Sequence, residues 1–456
     1  MTIFKKPSAQ KVSKIFLITI FILASLLRIL YISRASIEDY QYDVGTKELR
    51  HQNEAYEKIY EQDRSNLKQY RHLDYVMTIY NTGKLPDSNK VQQYHPPLHH
   101  IICVILLKVL DHFPLSATTK LESLQILTCI YSILAMFIIM KICDEFKLNN
   151  FYKIIVLLFV GFNPLFIFMS GFISNDMLVS MLILLCFYLI IKWNKNPSYV
   201  NTILLGLVFG LGCATKTSMS VMLILIFIVV IAKWITNIIK NKKSKPKPTQ
   251  SYRTTKFLLQ TLIFLTIASP LSLAYPIRNN IKFNQPILYV VQPKDDLKLS
   301  NKNFINRFTP FSTEIFEKQI KEKHENIFSY AIKSDIVFGL KADYHYTILL
   351  TFIIILLYAL SIFASIYLLI KAKNSNIGIL IFATFLWLAS FIFFNIEYPA
   401  SCTMHAKYIY AYIGLLPIIN ACFLQKKDNY VLSMIVYTLS TLFAVFSTLG
   451  MFYIIL

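Results

Sequence analysis

Long apolar runs alternate with short polar turns along most of this chain. Candidate membrane-spanning stretches centre on residues 15–33, 122–142, 152–170, 173–192, 201–215, 218–238, 257–275, 347–370, 376–395, 407–424 and 431–455. Most are close to the roughly 20 apolar residues that a helix needs to cross a bilayer. Two long polar loops interrupt them, 35–95 and 276–346. The pattern therefore predicts an all-α polytopic membrane protein of about eleven transmembrane helices. It divides into an N-terminal transmembrane module, 1–275, that includes an outer loop over 35–120, a second outer loop, 276–346, and C-terminal transmembrane helices, 347–456. The first span follows Lys5, Lys6, Lys11 and Lys14 with no small-residue cleavage site, so it is expected to be retained.

Composition agrees with the pattern. The 456 residues are 55% hydrophobic and only 16% charged, with mean hydropathy +0.51. A soluble domain of this length needs far more polar surface. The net charge of +21 would suggest nucleic acid in a soluble protein. In a membrane protein it reflects basic loops on the cytoplasmic side, so no nucleic-acid partner is expected. The seven cysteines lie in or beside apolar runs without CxxC spacing, as small hydrophobes do.

Charge also orders the loops. With a cytoplasmic N-terminus, loop 35–95 is outside, and the basic stretch "KNKKSKPKPTQSYRTTK" (240–256), read as a flexible linker, belongs inside. That requires an odd number of crossings between them. It excludes the run after "YHPPLHH" (94–100) as a span: its uninterrupted apolar part, Ile101 to Leu107, is half the necessary length. The two long loops then fall outside together and hold 18 of the 25 acidic residues. On a helical wheel His100, Lys108, Asp111 and His112 share one arc, which predicts an amphipathic helix in the membrane plane, its first turn opened by Pro96 and Pro97.

Candidate chemistry clusters at this outer face. The first outer loop offers Asp43 in "EDYQYDVG", then His72 and Asp74 in "RHLDY", and His95 before the prolines. "SGFISNDM" places Asn175 and Asp176 at an outer turn, where Asp176 either caps a helix or lines a polar cavity. Lys216 in "GLGCATKTS" sits near membrane depth, which is costly unless it is paired or faces water. Arg278 in "YPIRNNIKFNQP", with His405, Lys407 and Tyr408 in "CTMHAKYIY", adds further outer groups. Lys216, Arg278 and Lys407 suit a phosphate, and snorkelling to headgroups is the ordinary alternative. No Walker A, GxGxxG or HExxH motif is present.

The ordered series "H-x-x-Y … GKLP … YHPPL", followed by "SGFISND", "GLGCATKTS", "RNNIKFNQP" and "CTMHAKY", resembles bacterial relatives of the protein O-mannosyltransferases, GT-C membrane glycosyltransferases of family 39. The resemblance implies a multi-span GT-C fold with in-plane helices in the first outer loop and an inverting transfer at the outer face of the cell membrane. The donor would be a polyprenyl-phosphate sugar. The acceptor, a glycan, lipid or protein of the cell envelope, is left open. It implies a catalytic carboxylate in the first loop, Asp43, with Asp74 as rival across an insertion of about 28 residues. Lys407 stands where relatives often carry Arg, keeping charge but losing the bidentate fork. His72, His95, Asn175, Asp176, Lys216, Arg278, His405, Lys407 and Tyr408 are the substrate-binding candidates. No cofactor or metal ligand set is assigned, a divalent metal staying open. A lipid-linked glycan transporter and a non-catalytic assembly subunit are the alternatives.

Overall fold

The computed structural model describes residues 9–35, 72–88, 91–243, 249–291, 298–299, 304–310, 312–316, 325–337, 344–371 and 374–455. Asp43 lies outside the described residues. Among these, helix is the dominant structure and the one β-bridge joins Lys298 to Ala400.

The N-terminal half comprises α1 (Ala9–Arg34), α2 (His72–Thr82), α3 (Leu98–Leu110), α4 (Ala117–Glu122), α5 (Gln125–Glu145), α6 (Asn150–Phe162), α7 (Pro164–Phe168), α8 (Asp176–Lys195), α9 (Tyr199–Cys213), α10 (Val221–Lys243) and α11 (Thr249–Phe283). The second outer loop carries α12 (Phe304–Phe308) and α13 (Ile327–Val337). The C-terminal part consists of α14 (Tyr344–Lys371), α15 (Ser375–Glu397), α16 (Tyr410–Lys427) and α17 (Tyr430–Ile455).

Nine helices among the described residues are long and apolar enough to cross a membrane, and α6 with α7 makes a tenth, bent by 60°. The chain is therefore a multi-pass membrane protein. The remaining one of the eleven stretches, 201–215, forms α9, a helix of 15 residues. At 1.5 Å per residue it rises about 22 Å, less than the hydrocarbon thickness of about 30 Å. The basic stretch 240–256, read as a linker, is helical at both its described ends. Helix runs to Lys243 and resumes at Thr249, because lysine and glutamine are good helix formers.

The α6–α7 bend has a local cause. Pro164 has no N–H to give the carbonyl of Val160, so the helical ladder breaks there. Asn163 caps the new helix, its Oδ1 accepting from the Phe166 N–H at 3.3 Å. The freed carbonyls are met by Arg28, fully buried in the first span. Its Nη1 donates to Gly161 O at 2.7 Å and Ala24 O at 2.9 Å, its Nη2 to Val160 O at 3.4 Å, and its Nε to Ser132 Oγ at 2.8 Å. Ser132 Oγ in turn donates to Phe166 O at 3.1 Å. A cation in the membrane thus binds three spans at the bend.

The helix after the two prolines is 13 residues long and short of a span. Leu98 N donates to Ala214 O at 3.0 Å, docking its N-terminus on the turn that follows α9. One expectation fails here. His100 does not share the exposed arc of Lys108, Asp111 and His112. It is buried, with His99, Cys103 and Leu107, against α2. Leu73, Val76 and Met77 of α2 close that small core, and an imidazole partly shielded by a neighbouring ring is cheaper to bury than an ammonium.

Candidate active site

Three chain breaks bring the polar residues together. The first is the loop between α7 and α8. Ser174 Oγ donates to Asp176 Oδ2 at 3.2 Å and accepts from the Asp176 N–H at 3.3 Å, fixing the carboxylate at the head of α8. Asn175 Nδ2 donates to Thr215 O at 2.9 Å, fastening this loop to the second break.

The second break follows α9. Ala214 N and Lys216 N still donate to Gly210 O and Gly212 O, but Lys216 itself is extended, with φ −159°, before a single 3-10 turn over Thr217–Ser220. Its ammonium is buried and forms an ion pair with Asp176. The third break precedes α16. Two 3-10 turns, Ser401–Met404 and Ala406–Ile409, flank an extended His405, whose Nδ1 accepts from the Lys407 N–H at 3.1 Å. Ser334 Oγ of α13 accepts from the Ala406 N–H at 2.9 Å and steadies this turn. Lys407 is 5% exposed. The Tyr408 ring lies 5.1 Å from Lys216 Nζ and 5.3 Å from Lys407 Nζ, within cation–π range of both.

These groups face a cavity of about 540 Å³. Its polar end is formed by His72, His95, Asp176, Lys216, Lys407 and Tyr408. The opposite wall is apolar: Trp387, Phe391 and Phe394 of α15, Val221 of α10, and Leu288, Val290 and Val291 of the segment after α11. That segment leads toward Lys298 and Leu299, which are pinned to Pro399 and Ala400 by the β-bridge and by Leu299 N donating to Pro399 O at 2.8 Å. Two lysines against one carboxylate leave the polar end net positive. Burial, and next the Lys216 charge, push the His95 imidazole well below its usual range, so it stays neutral beside them.

Other expected site residues lie elsewhere. Arg278, half-buried on α11, does not line the cavity. Its Nη2 donates to Pro86 O and its Nη1 to Asn279 Oδ1, both at 2.8 Å, and it lies over the Tyr275 and Phe283 rings. With the exposed Lys282–Asp87 pair it anchors the "GKLPD" loop, whose Gly83 takes φ +64° to end α2. Asp74 is half-buried on α2 and is not a cavity wall. His405 and Asn175 shape the turns behind Lys407 and Asp176 without lining the space. Among the described residues no three His, Cys, Asp or Glu side chains are grouped to hold a metal.

The sequence reading did not single out the aromatic wall. Trp387, Phe391 and Phe394 follow i, i+4, i+7 spacing, but in a span that is apolar all round no contrast marks that face.

By its likeness to solved structures the all-helical multi-pass fold is of the GT-C type. It matches ArnT from Cupriavidus metallidurans, bound to undecaprenyl phosphate, with a TM-score of 0.50 at 12% identity over 92% of this chain and 62% of that one. The chain thus spans less than two thirds of ArnT's length. Archaeal oligosaccharyltransferase AglB from Archaeoglobus fulgidus, in complex with an inhibitory peptide and a dolichol-phosphate, gives a TM-score of 0.49 at 10% identity over 97% of this chain and 56% of that one. In sequence, residues 114–279 match the family described as dolichyl-phosphate-mannose-protein mannosyltransferase. The matched stretch carries Asn175, Asp176, Lys216 and Arg278, and the resemblance to the glycosyltransferases with lipid-linked donors rests on it. No curated protein matches the chain in sequence.

Proposed function

We propose that this chain is a membrane glycosyltransferase that moves a sugar from a polyprenyl-phosphate donor to an acceptor hydroxyl at the outer face of the cell membrane, with inversion at the sugar carbon. One observation carries the reading. The cavity joins two buried lysines at one end to an aromatic wall at the other. That is the complement of an amphiphile with an anionic head, and the matched family and the lipid seen in ArnT are of this chemical kind.

In the reaction the acceptor oxygen attacks the anomeric carbon while the bond from that carbon to the phosphate oxygen breaks. The acceptor proton passes to a carboxylate, assigned to Asp43 on the family resemblance, with Asp74 as rival. The phosphate leaves with an added negative charge that Lys216 and Lys407 stabilise in a site poor in water. Asp176 holds Lys216 in place, and Tyr408 spaces the two ammonium groups. Arg278 acts through the GKLPD loop. His72 and His95 contact the sugar-phosphate head. No metal is assigned to any step, and transfer measured with and without EDTA decides whether a divalent metal takes part. The N-terminus is assigned to the cytoplasm on the charge of the loops.

The test is a panel of polyprenyl-phosphate sugars given to the purified protein, with release of polyprenyl phosphate measured. Release with at least one sugar, lost in Asp43→Asn or Asp74→Asn, supports transfer. Movement of the lipid-linked sugar across a vesicle membrane without release would identify a transporter instead.

A further inference from the structure

A second recess lies at the far end of α8 from the cavity. Trp193, in its floor, stands 17 residues along the helix from Asp176, roughly 25 Å away. The recess is a groove of about 110 Å³ between α10 and α11, floored by Trp193 of α8 and by Thr202 and Leu205 of α9. Its cause is in the sequence. Gly206 and Gly210 let α11 lie close on α9: a Cβ at Gly206 would meet Phe264 O at 3.3 Å, and one at Gly210 would meet Leu271 Cβ at 2.7 Å. α10 has no glycine. Its large side chains keep it off α11, and the groove runs along one face of each helix, Leu223 to Val230 and Phe257 to Leu265.

The polar groups of the groove are engaged within the protein. Trp193 Nε1 donates to Thr202 Oγ1 at 3.0 Å, and Thr202 Oγ1 to Ser198 O at 3.0 Å. Gln260 Nε2 donates to Pro197 O and Thr261 Oγ1 to Phe257 O, both at 2.9 Å. What faces an occupant is therefore mostly hydrocarbon. A dry cavity of about 150 Å³ takes one benzene, so this one suits a few methylenes of an acyl chain and no fused ring system.

The mouth of the groove is cationic. Lys233, one turn beyond Val230 on α10, donates through Nζ to Asn194 O at 2.6 Å. Lys256, next to Phe257 on α11, holds its Nζ 5.8 Å from the centre of the Tyr199 ring. Each flanking helix thus sends an ammonium to the α8–α9 turn. Lys195, in the same turn, is paired with Glu145 at 2.6 Å. No Asp or Glu occurs between Asp176 and Asp295, so the four helices around the groove bring no acid to this end. Trp193, Tyr199 and Trp234 accompany these lysines, as the aromatic residues of a membrane interface do.

We propose that the groove binds one anionic phospholipid of the leaflet opposite the cavity, with an acyl chain between α10 and α11 and the headgroup phosphate held at the α8–α9 turn by Lys233 and Lys256. The groove opens on the bilayer, where hydrocarbon is what fills it, and the charge at its mouth selects which lipid supplies that chain. The site does not depend on the glycosyltransferase reading.

The test uses the full chain in detergent with Trp193 as its only tryptophan, Trp234→Phe and Trp387→Phe removing the other two. Chain-brominated phosphatidylglycerol and phosphatidylcholine are titrated in, bromine quenching a tryptophan that it touches. Phosphatidylglycerol should quench Trp193 saturably. Phosphatidylcholine with the same chains should need about 25-fold more, since an ammonium beside an anionic headgroup is worth about fivefold in affinity and two are at hand. Lys233→Gln with Lys256→Gln should bring the two lipids level and leave the quenching plateau unchanged, because the hydrocarbon walls are intact. No saturable quenching, equal quenching by the two lipids in the starting protein, or a preference that survives the double variant overturns the proposal. Relief of quenching by undecaprenyl phosphate at lower concentration than by unbrominated phosphatidylglycerol gives the groove to a polyprenyl tail and also overturns it. If the single-tryptophan protein does not fold, the quenching component that Trp193→Phe removes from the wild type reads the same site.

Discussion

Lys216 and Lys407 are the residues on which the reading depends most. Each is buried, and each contacts one face of the site through Tyr408. Lys216→Met removes a cation and leaves Asp176 buried without its ion-pair partner, so binding of undecaprenyl phosphate should weaken by about 10- to 150-fold. Lys407→Arg should retain most of the binding and Lys407→Met little of it, as read by titration of the lipid into detergent-solubilised protein. Arg278 gives the contrast. Because it holds Pro86 and not the cavity, Arg278→Ala should cost transfer only through the GKLPD loop, by less than the Lys216 change. Equal losses would place Arg278 on the phosphate after all. At this scale the sequence was informative about charge and less so about direction. Lysines in apolar runs, and a carboxylate at a helix head, announce themselves by their cost. Which way a guanidinium turns depends on a carbonyl 192 residues away, at Pro86, that no local pattern reveals.

At the scale of elements, the run after the two prolines was legible as a helix too short to span, but its buried face was not. His99 and His100 look polar on a wheel, yet they pack inward with Cys103 and Leu107, while Ile101, Ile105 and Val109 stay exposed. Burial lowers the His99 pKa from 6.5 to about 4. Above pH 6.5 both folded and unfolded states hold this ring neutral, and its contribution is constant. Between pH 6.5 and 4 the unfolded chain takes up a proton that the folded chain refuses, so stability falls as pH falls. Groups facing the ring are His100 and Tyr131, the Asp176 charge, and Cys103, whose thiol burial pushes up. Thermal unfolding followed from pH 7.5 to 4.5 should show a decline that is shallower in His99→Leu. The bend between α6 and α7 makes a second test. Arg28→Met would leave the Gly161 and Val160 carbonyls and Ser132 Oγ without their donor, at about 1–3 kcal/mol for each buried polar group left unpaired. Thermal unfolding in detergent should record a loss of several kcal/mol, while Arg28→Lys should recover part of it.

For the whole molecule, hydrophobic periodicity delivered the class of fold and nearly every span, because an apolar stretch of about 20 residues has few other uses. One of the eleven stretches, 201–215, forms a helix of only 15 residues, α9, which ends at the Lys216 turn, so the described residues do not confirm the full count. The polar lining of the large cavity was legible residue by residue, in His72, His95, Asp176, Lys216, Lys407 and Tyr408, but its shape and its aromatic wall were not, since it is made where three breaks far apart in sequence meet. Topology is testable directly. Leu115, exposed after α3, should lie outside if α3 does not cross. In a cysteine-free background, Leu115→Cys should react with an impermeant thiol reagent added to intact cells. Labelling only after the cells are opened would show that α3 spans the membrane.

The Arg28 contacts also bear on how the chain is assembled. The first helix enters the membrane long before residues 160 and 161 are synthesised, 132 and 133 positions later. Until then its guanidinium has no partner within the helix beyond the Ala24 carbonyl. A lone arginine adds roughly 2.5–3.5 kcal/mol to insertion at helix centre and less toward the helix end, where Arg28 lies. The early helix is thus held in the bilayer by its apolar residues alone, against a charge that draws it toward water or the insertion machinery. Its placement becomes final only when the broken helix arrives with two bare carbonyls. Nascent chains stopped before residue 150 should release the first helix to alkaline extraction more readily than chains stopped after residue 180, and Arg28→Leu should abolish that difference.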